Sequence, residues 1–463
     1  MSGHIDTSAS GDNETGRSSQ SPAEIMDLAR ARESSLSRLL MAYISSGLVF
    51  MLLPGTFLGV WNLLQISGSE SAAFVSPAWL QAHGHAQVFG WIGSFIFGIG
   101  FYSIPKFRNA PEPAFRAAWI CWGMWTIGVA ARWFANVYLW QWRILLPVSA
   151  ALEVAAFLIF FRAVSHHRAG SSDKDRLEPW IWVVVSASVG LLAVVLVNLG
   201  SAVYVAWSGI GPALPHAFDQ RFLALMTWGF LVPFVWGFST KWMPIFLGLK
   251  PVRPKLLFVA IAMNFAGIIL TFAGLGDQAS PLFVVGVALA ISALRMFEPA
   301  QQPAKIRGVH WSFPYFVRMA YGWLLMASLL GVAAAIWDSS GGIWGASRHA
   351  LTVGFIAVMV LCVGQRILPA FAGMRLLWST KLMFWALALL TIGCVLRVPC
   401  ELLAYQGYAK WAWSILPGSA VLELAGIAAF AMNIFGTFIL EPSHVHKQAS
   451  TIASVEEHNG ELC

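Results

Sequence analysis

Runs of about twenty apolar residues recur twelve times along this chain, and an ordinary soluble core has no place for so many. They lie near 39–63, 85–105, 117–138, 144–164, 180–205, 216–239, 255–275, 281–297, 314–337, 349–370, 380–404 and 413–439. A hydrocarbon layer about 30 Å thick takes roughly 20 residues of helix to cross. The runs are apolar on every side instead of alternating, which excludes the strands of a membrane barrel. With 58% hydrophobic and 11% charged residues, the chain reads as an all-α integral membrane protein with twelve transmembrane helices. Its first partner is the lipid bilayer.

The net charge of +7 is no nucleic-acid signal, because the basic residues sit in alternate connections between the runs. One set holds Arg30, Arg32, Arg38, Lys106, Arg108, Arg116, Arg162, Arg168, Lys174, Arg176, Lys241, Lys250, Arg253, Lys255, Lys305, Arg307, Arg375, Lys381 and Lys447. The other set holds Arg143, Arg348 and Lys410. The positive-inside rule then puts both termini in the cytoplasm, as an even number of spans requires. Residues 1–38 and 441–463 read as disordered cytoplasmic tails around a membrane domain at 39–440. The five cysteines form no CxxC and no disulfide framework.

The chain also echoes itself. At an offset of 264, His85-Ala86 meets His349-Ala350, Gly90 meets Gly354, Gly100 meets Gly364 and Pro105 meets Pro369. Pro147-x-Ser149-Ala150-x-Leu152-Glu153 matches Pro417-x-Ser419-Ala420-x-Leu422-Glu423. Arg132 and Arg397 correspond about one turn out of step. A third His-Ala, at His216, falls 131 residues after His85 and 133 before His349. The period suggests three pseudo-repeated four-helix arcs, near 39–175, 176–305 and 306–440.

Histidine carries the chemistry of this pattern. His83, His85, His216 and His349 all open even-numbered spans, so all four are expected near the outer face. Ionisable groups at membrane depth are costly and mark function. Several imidazoles on one side of a bundle suit a haem or a copper ion. The expected axial pair is His85 and His349, with His83 and His216 left for a second metal, copper. Arg348 and Arg143, on the thinly charged outer side, are candidates for haem carboxylates or for anchoring to headgroups. Deeper in the spans, Arg132 with Glu153 and Arg397 with Glu423 are expected as buried ion pairs, either helix clamps or a proton path. His4, His166, His167, His310, His444, His446 and His458 lie in cytoplasmic segments and are expected to be solvated.

The stretch Trp79-Leu-Gln-Ala-His83-Gly-His85-Ala-Gln-Val-Phe89-Gly90 resembles the histidine-bearing helix of the NnrS family. His349-Ala-Leu-Thr-Val-Gly354 is similar to that family's second signature. These are bacterial inner-membrane proteins of the nitric-oxide response that bind haem and copper, and the twelve-span layout fits over 39–439. The resemblance implies a haem, of b type, copper beside it, and nitric oxide or another small diatomic as ligand. In place of the family's acidic residue after His-x-His, this chain has Ala86-Gln87. More distantly, both stretches resemble the haem-ligating helices of subunit I in haem-copper oxidases and nitric-oxide reductases. That likeness implies His85 and His349 as low-spin ligands and His216 on the copper helix. No His-His pair occurs in 255–275 and no tyrosine follows His216 at the expected turn, so no complete oxygen-reducing centre is expected. Two rivals remain open: a twelve-span secondary transporter, which needs a midplane site and usually a two-half repeat, and a nitric-oxide reductase-like oxidoreductase.

Overall fold

The computed structural model describes residues 22–107, 115–165 and 178–440. Among the described residues there are twelve long helices and no strand. We label them α1 (Met26–Ser69), α2 (Pro77–Lys106), α3 (Phe115–Tyr138), α4 (Trp142–Ser165), α5 (Pro179–Ser208), α6 (His216–Leu247), α7 (Pro254–Phe272), α8 (Gly276–Leu294), α9 (Phe313–Trp337), α10 (Gly342–Phe371), α11 (Thr380–Tyr405) and α12 (Trp411–Ile439). Eleven are long and apolar enough to cross a membrane; α3 falls short, because it carries Arg132 and four tryptophans. The protein is thus an all-helical, multi-pass membrane protein. The helix of α1 begins at Pro22, which corrects the expected tail: residues 22–38 are helical. Glu33 in this part accepts hydrogen bonds from Tyr102 Oη and Lys106 Nζ at the end of α2. The rest of the expected N-terminal tail, 1–21, and the whole C-terminal tail, 441–463, lie outside the described residues. So do Arg108, Arg168, Lys174, Arg176 and Lys447, and His4, His166, His167, His444, His446 and His458. His310 is described, and it is partly buried with Nδ1 on the Ser312 hydroxyl, 2.8 Å, instead of solvated.

Short connections punctuated by proline and glycine make successive helices antiparallel neighbours. Pro179 and Pro254 open their helices at a position where a missing N–H is harmless. Gly248 closes α6 with φ +65°. Each helix packs on the next around a ring, and α12 returns to pack on the second half of α1. Cross-contacts recur at the same step: α2 with α4, α6 with α8, and α10 with α12. The three helices that begin near histidines are the innermost. In their most apolar stretches α2, α6 and α10 are 89%, 72% and 72% buried, against 33–56% for the other spans. Where α5 crosses α6, a side chain at Gly190 would sit 1.9 Å from the Gly229 carbonyl oxygen, so only glycine fits there.

The helices near the bundle axis are locally widened. Wide π turns occupy Met51–Phe57 in α1, Ala86–Gly93 in α2, Leu225–Leu231 in α6 and Ala350–Ala357 in α10. Such turns loosen the backbone ladder and favour functional sites. In α6 the Trp228 carbonyl accepts a hydrogen bond from Asn264 Nδ2 of α7. In α2 the Phe89 carbonyl accepts one from Trp125 Nε1 of α3, at 3.0 Å. At the opposite mouth from the histidines, the α8–α9 connection crosses the ends of α6 and α10. Its Gln301 N–H donates to the Gly248 carbonyl at 2.8 Å and its Lys305 N–H to the Phe246 carbonyl at 2.9 Å. Arg366 of α10 donates to the Arg307 carbonyl at 2.9 Å.

Candidate functional site

His85 and His349 hold the same local position. Each is the last residue before a π turn, and each sits about two turns into its helix. His216 does not. It is the first residue of α6, exposed, and its π turn starts nine residues later. The position on α6 that corresponds to His85 and His349 is Ala224. The near-equal sequence intervals therefore misplace His216, because they count residues and not depth along a helix.

His85 is 5% exposed. Its Nε2 lies 2.8 Å from Glu153 Oε1 of α4. The other oxygen, Oε2, accepts from Asn198 Nδ2 of α5 at 2.8 Å. Arg132 of α3 donates to Asn198 Oδ1 at 3.4 Å. Asn198 thus stands between the expected partners: Arg132 and Glu153 form no direct ion pair, and a carboxamide links them. The His85 ring stacks on Phe89, centroids 4.2 Å apart, and Phe89 stacks on Trp125. Four helices meet in this fully buried cluster.

His349 has a different carboxylate. Its Nδ1 lies 2.8 Å from Glu401 Oε2 of α11 and 3.0 Å from the Gly345 carbonyl. Arg397 Nε reaches the same Glu401 oxygen at 3.2 Å, one turn away on α11. The expected pair of Arg397 with Glu423 is corrected: Arg397 pairs with Glu401. A side chain at Gly345 would collide with Glu401 Oε1 at 2.2 Å, so this glycine admits the carboxylate to the imidazole.

His83 is half-buried. Its Nδ1 donates to the Gly55 carbonyl in the π turn of α1 at 2.8 Å. Gly59 makes room for its ring, since a Cβ there would lie 2.6 Å from Cε1. His83 is also within electrostatic reach of His349 and Arg397. Thus His83 faces α1 and α10, while His85 faces α3 and α4, as two positions on one helix about 200° apart require.

Arg348 donates to Gln220 Oε1 of α6 at 2.9 Å. Next to Gln220, Asp219 lies in the field of Arg348, Arg132 and His216, with the Gln81 carboxamide as a hydrogen-bond partner. Gln81 of α2 holds the backbone of Leu214 on both sides, N–H to Oε1 at 2.8 Å and Nε2 to carbonyl at 3.0 Å. A polar seam therefore ties α2, α6 and α10 at the histidine end. Arg143 is no part of it. Its guanidinium caps the last turn of α5, on the Ala206 and Gly209 carbonyls at 2.8 and 3.2 Å, and stacks on Trp142. Of its two expected roles, haem carboxylates or anchoring at the membrane edge, this position at a helix end is nearer the second.

The donor chemistry fits a two-ligand group and not a three-ligand one. A metal-binding histidine usually donates its second ring N–H to a carboxylate or a carbonyl. In neutral rings, His85 would keep Nδ1 free, and His349 and His83 would keep Nε2 free. Among the described residues no group of three or more His, Cys, Asp or Glu side chains gathers around one point. These residues could hold a haem by axial imidazoles; His83 and His216 do not build a copper centre together.

Sequence reasoning missed Glu401, Asn198 and Asp219. Glu401 had a signal, since Arg397 and Glu401 stand four apart on one helix face. Asn198 is a buried carboxamide deep in a span, and Asp219 and Gln220 follow His216 by one turn.

This arrangement defines an all-helical membrane protein with an imidazole–carboxylate site at one end of its inner helices. Residues 243–434 match a family described as a domain of unknown function (DUF8744). The match runs from the end of α6 into α12 and covers less than half of the chain. No curated protein matches it.

Proposed function

We propose that this protein is a haem-binding, twelve-span protein of the bacterial inner membrane, with both termini cytoplasmic and its three arcs of four helices around the histidines. The single observation that carries the reading is the paired architecture of His85–Glu153 and His349–Glu401, each with one ring nitrogen on a buried carboxylate. Supporting it are the inner position of α2 and α10 and the π turn after each histidine. The haem, of b type, would be held by His85 and His349; the group supplies a redox-active iron that binds diatomic ligands. The chain's own residues orient the rings, through Glu153 and Glu401, and shield His85 from water by burial. The likeness to NnrS supports a role in the nitric-oxide response. Copper is left out of the proposal, because its two expected ligands stand at different depths.

The test is optical. Protein purified in detergent is expected to show a Soret band and a reduced-minus-oxidised difference spectrum of a six-coordinate b-type haem. His85→Ala and His349→Ala are each expected to abolish that signature. Loss in His83→Ala with retention in His85→Ala would instead make His83 the partner of His349. A wild-type protein with no chromophore, before and after supply of haemin, would overturn the reading. Solute uptake into proteoliposomes by such a protein would then favour the transporter.

A further inference from the structure

Glu423 has no hydrogen bond among the described residues. Its side chain is 9% exposed and Oε1 is fully buried without a partner. A buried carboxyl without a partner is costly, so a partner in some state of the molecule is expected. Gly393 of α11 gives it room, for a Cβ there would lie 2.6 Å from Glu423 Cγ. It stands in the electrostatic field of His349, Arg397 and Glu401.

The first arc explains what is unusual here. Glu153 and Glu423 are matched residues of the Pro-x-Ser-Ala-x-Leu-Glu stretch, and Glu153 takes its histidine. Glu401, four residues after Arg397, corresponds to Asn136, four after Arg132. Asn136 is neutral and its Nδ2 is spent on the Ala78 and Pro212 carbonyls, at 3.3 and 3.5 Å. His85 therefore has one carboxylate to bond. His349 has two nearby, Glu401 in contact with its ring and Glu423 in its electrostatic field. Glu401 keeps Arg397 whichever way the imidazole turns, so a turn toward Glu423 leaves neither acid alone.

We infer that His349 has two seats: Nδ1–H on Glu401, with Nε2 free to bind a metal centre, and a second with the ring turned onto Glu423 and withdrawn from that centre. The inference rests on the haem reading for what Nε2 would bind. Glu423 is a positioning residue that competes with ligation, and Glu401 one that supports it. A ligand that binds one of two states draws the population toward it.

The two carboxylates then have opposite effects. With haemin as the probe, Glu423→Gln is expected to slow haemin loss to excess apomyoglobin several-fold, and Glu401→Gln to speed it several-fold. Glu401→Asp, which keeps the charge, guards against a folding defect and is expected to fall between Glu401→Gln and wild type. Purely structural carboxylates would give loss in both variants, and that result would overturn the two seats. In unloaded protein, ¹⁵N-histidine spectra are expected to show His349 exchanging between two environments, with one remaining in Glu423→Gln. A single environment in wild type overturns the seats. Haemin failing to bind at all sinks the haem reading instead, and leaves the spectrum of the unloaded ring as the arbiter of the seats.

Discussion

Glu153 and Glu423 are the same residue type at matched positions, yet they differ in what they hold. Glu153 bonds His85 and Asn198; Glu423 bonds nothing that is described. Removing a partner from a buried polar cluster strands the others, at about 3 kcal/mol or more. Removing an unpartnered acid costs nothing of that kind. Glu153→Leu is thus expected to lower the thermal midpoint in detergent markedly, and Glu423→Leu to leave it unchanged or raise it. Equal losses would mean that the two acids are equally well bonded. The sequence made both acids visible as charges in apolar runs. Which histidine each would meet was not visible. That choice depends on helix rotation, and the π turn directly after each histidine alters the rotation without leaving a mark in the residue pattern. Asn198 was hidden for a plainer reason: a carboxamide in an apolar run carries no charge to draw notice.

At the level of elements, ties outside the membrane hold helix ends together. Glu178 stands just before α5, and Lys241 of α6 donates to it at 2.6 Å. That hydrogen bond, joined by one from Trp180, holds the Glu178 carboxyl below its ordinary range despite some opposing burial. Arg295 does the same for Glu298 beyond the end of α8. A lowered carboxyl in the folded state favours folding above the ordinary carboxylate range. The benefit fades as pH falls through that range and is gone below the lowered value. Glu178 is half exposed, so the effect is small, under about 1 kcal/mol. Thermal midpoints are expected to fall on acidification below about pH 5, and Glu178→Gln to flatten part of that slope. An unchanged slope in Glu178→Gln would mean that the tie contributes nothing to folding. The helices themselves were legible from apolar runs, with two informative misses. The start of α1 at Pro22 went unseen because its first turns are polar. The depth of His216 was misjudged because it opens its helix, whereas His85 and His349 lie two turns in.

For the whole molecule, the ring closes between α12 and α1, so adjacency in space does not depend on every covalent connection. Packing of preformed helices drives assembly in lipid. A chain divided between Ser165 and Glu178 and co-expressed as two parts is expected to assemble, with a tag on one part recovering both. Recovery of the tagged part alone would mean that the α4–α5 connection is required. The inward position of α2 and α10 was foreshadowed by His85 and His349, since an ionisable residue two turns into a span argues against a lipid-facing helix.

The α8–α9 connection, pinned across the tips of α6 and α10 by Gln301, Lys305 and Arg366, straps two inner helices together at the end away from the imidazoles. On the haem reading, a small apolar gas bound for the imidazoles would come from the histidine end or sideways from the acyl chains, where such gases dissolve well. Supply would then follow the gas content of the lipid as much as that of the water.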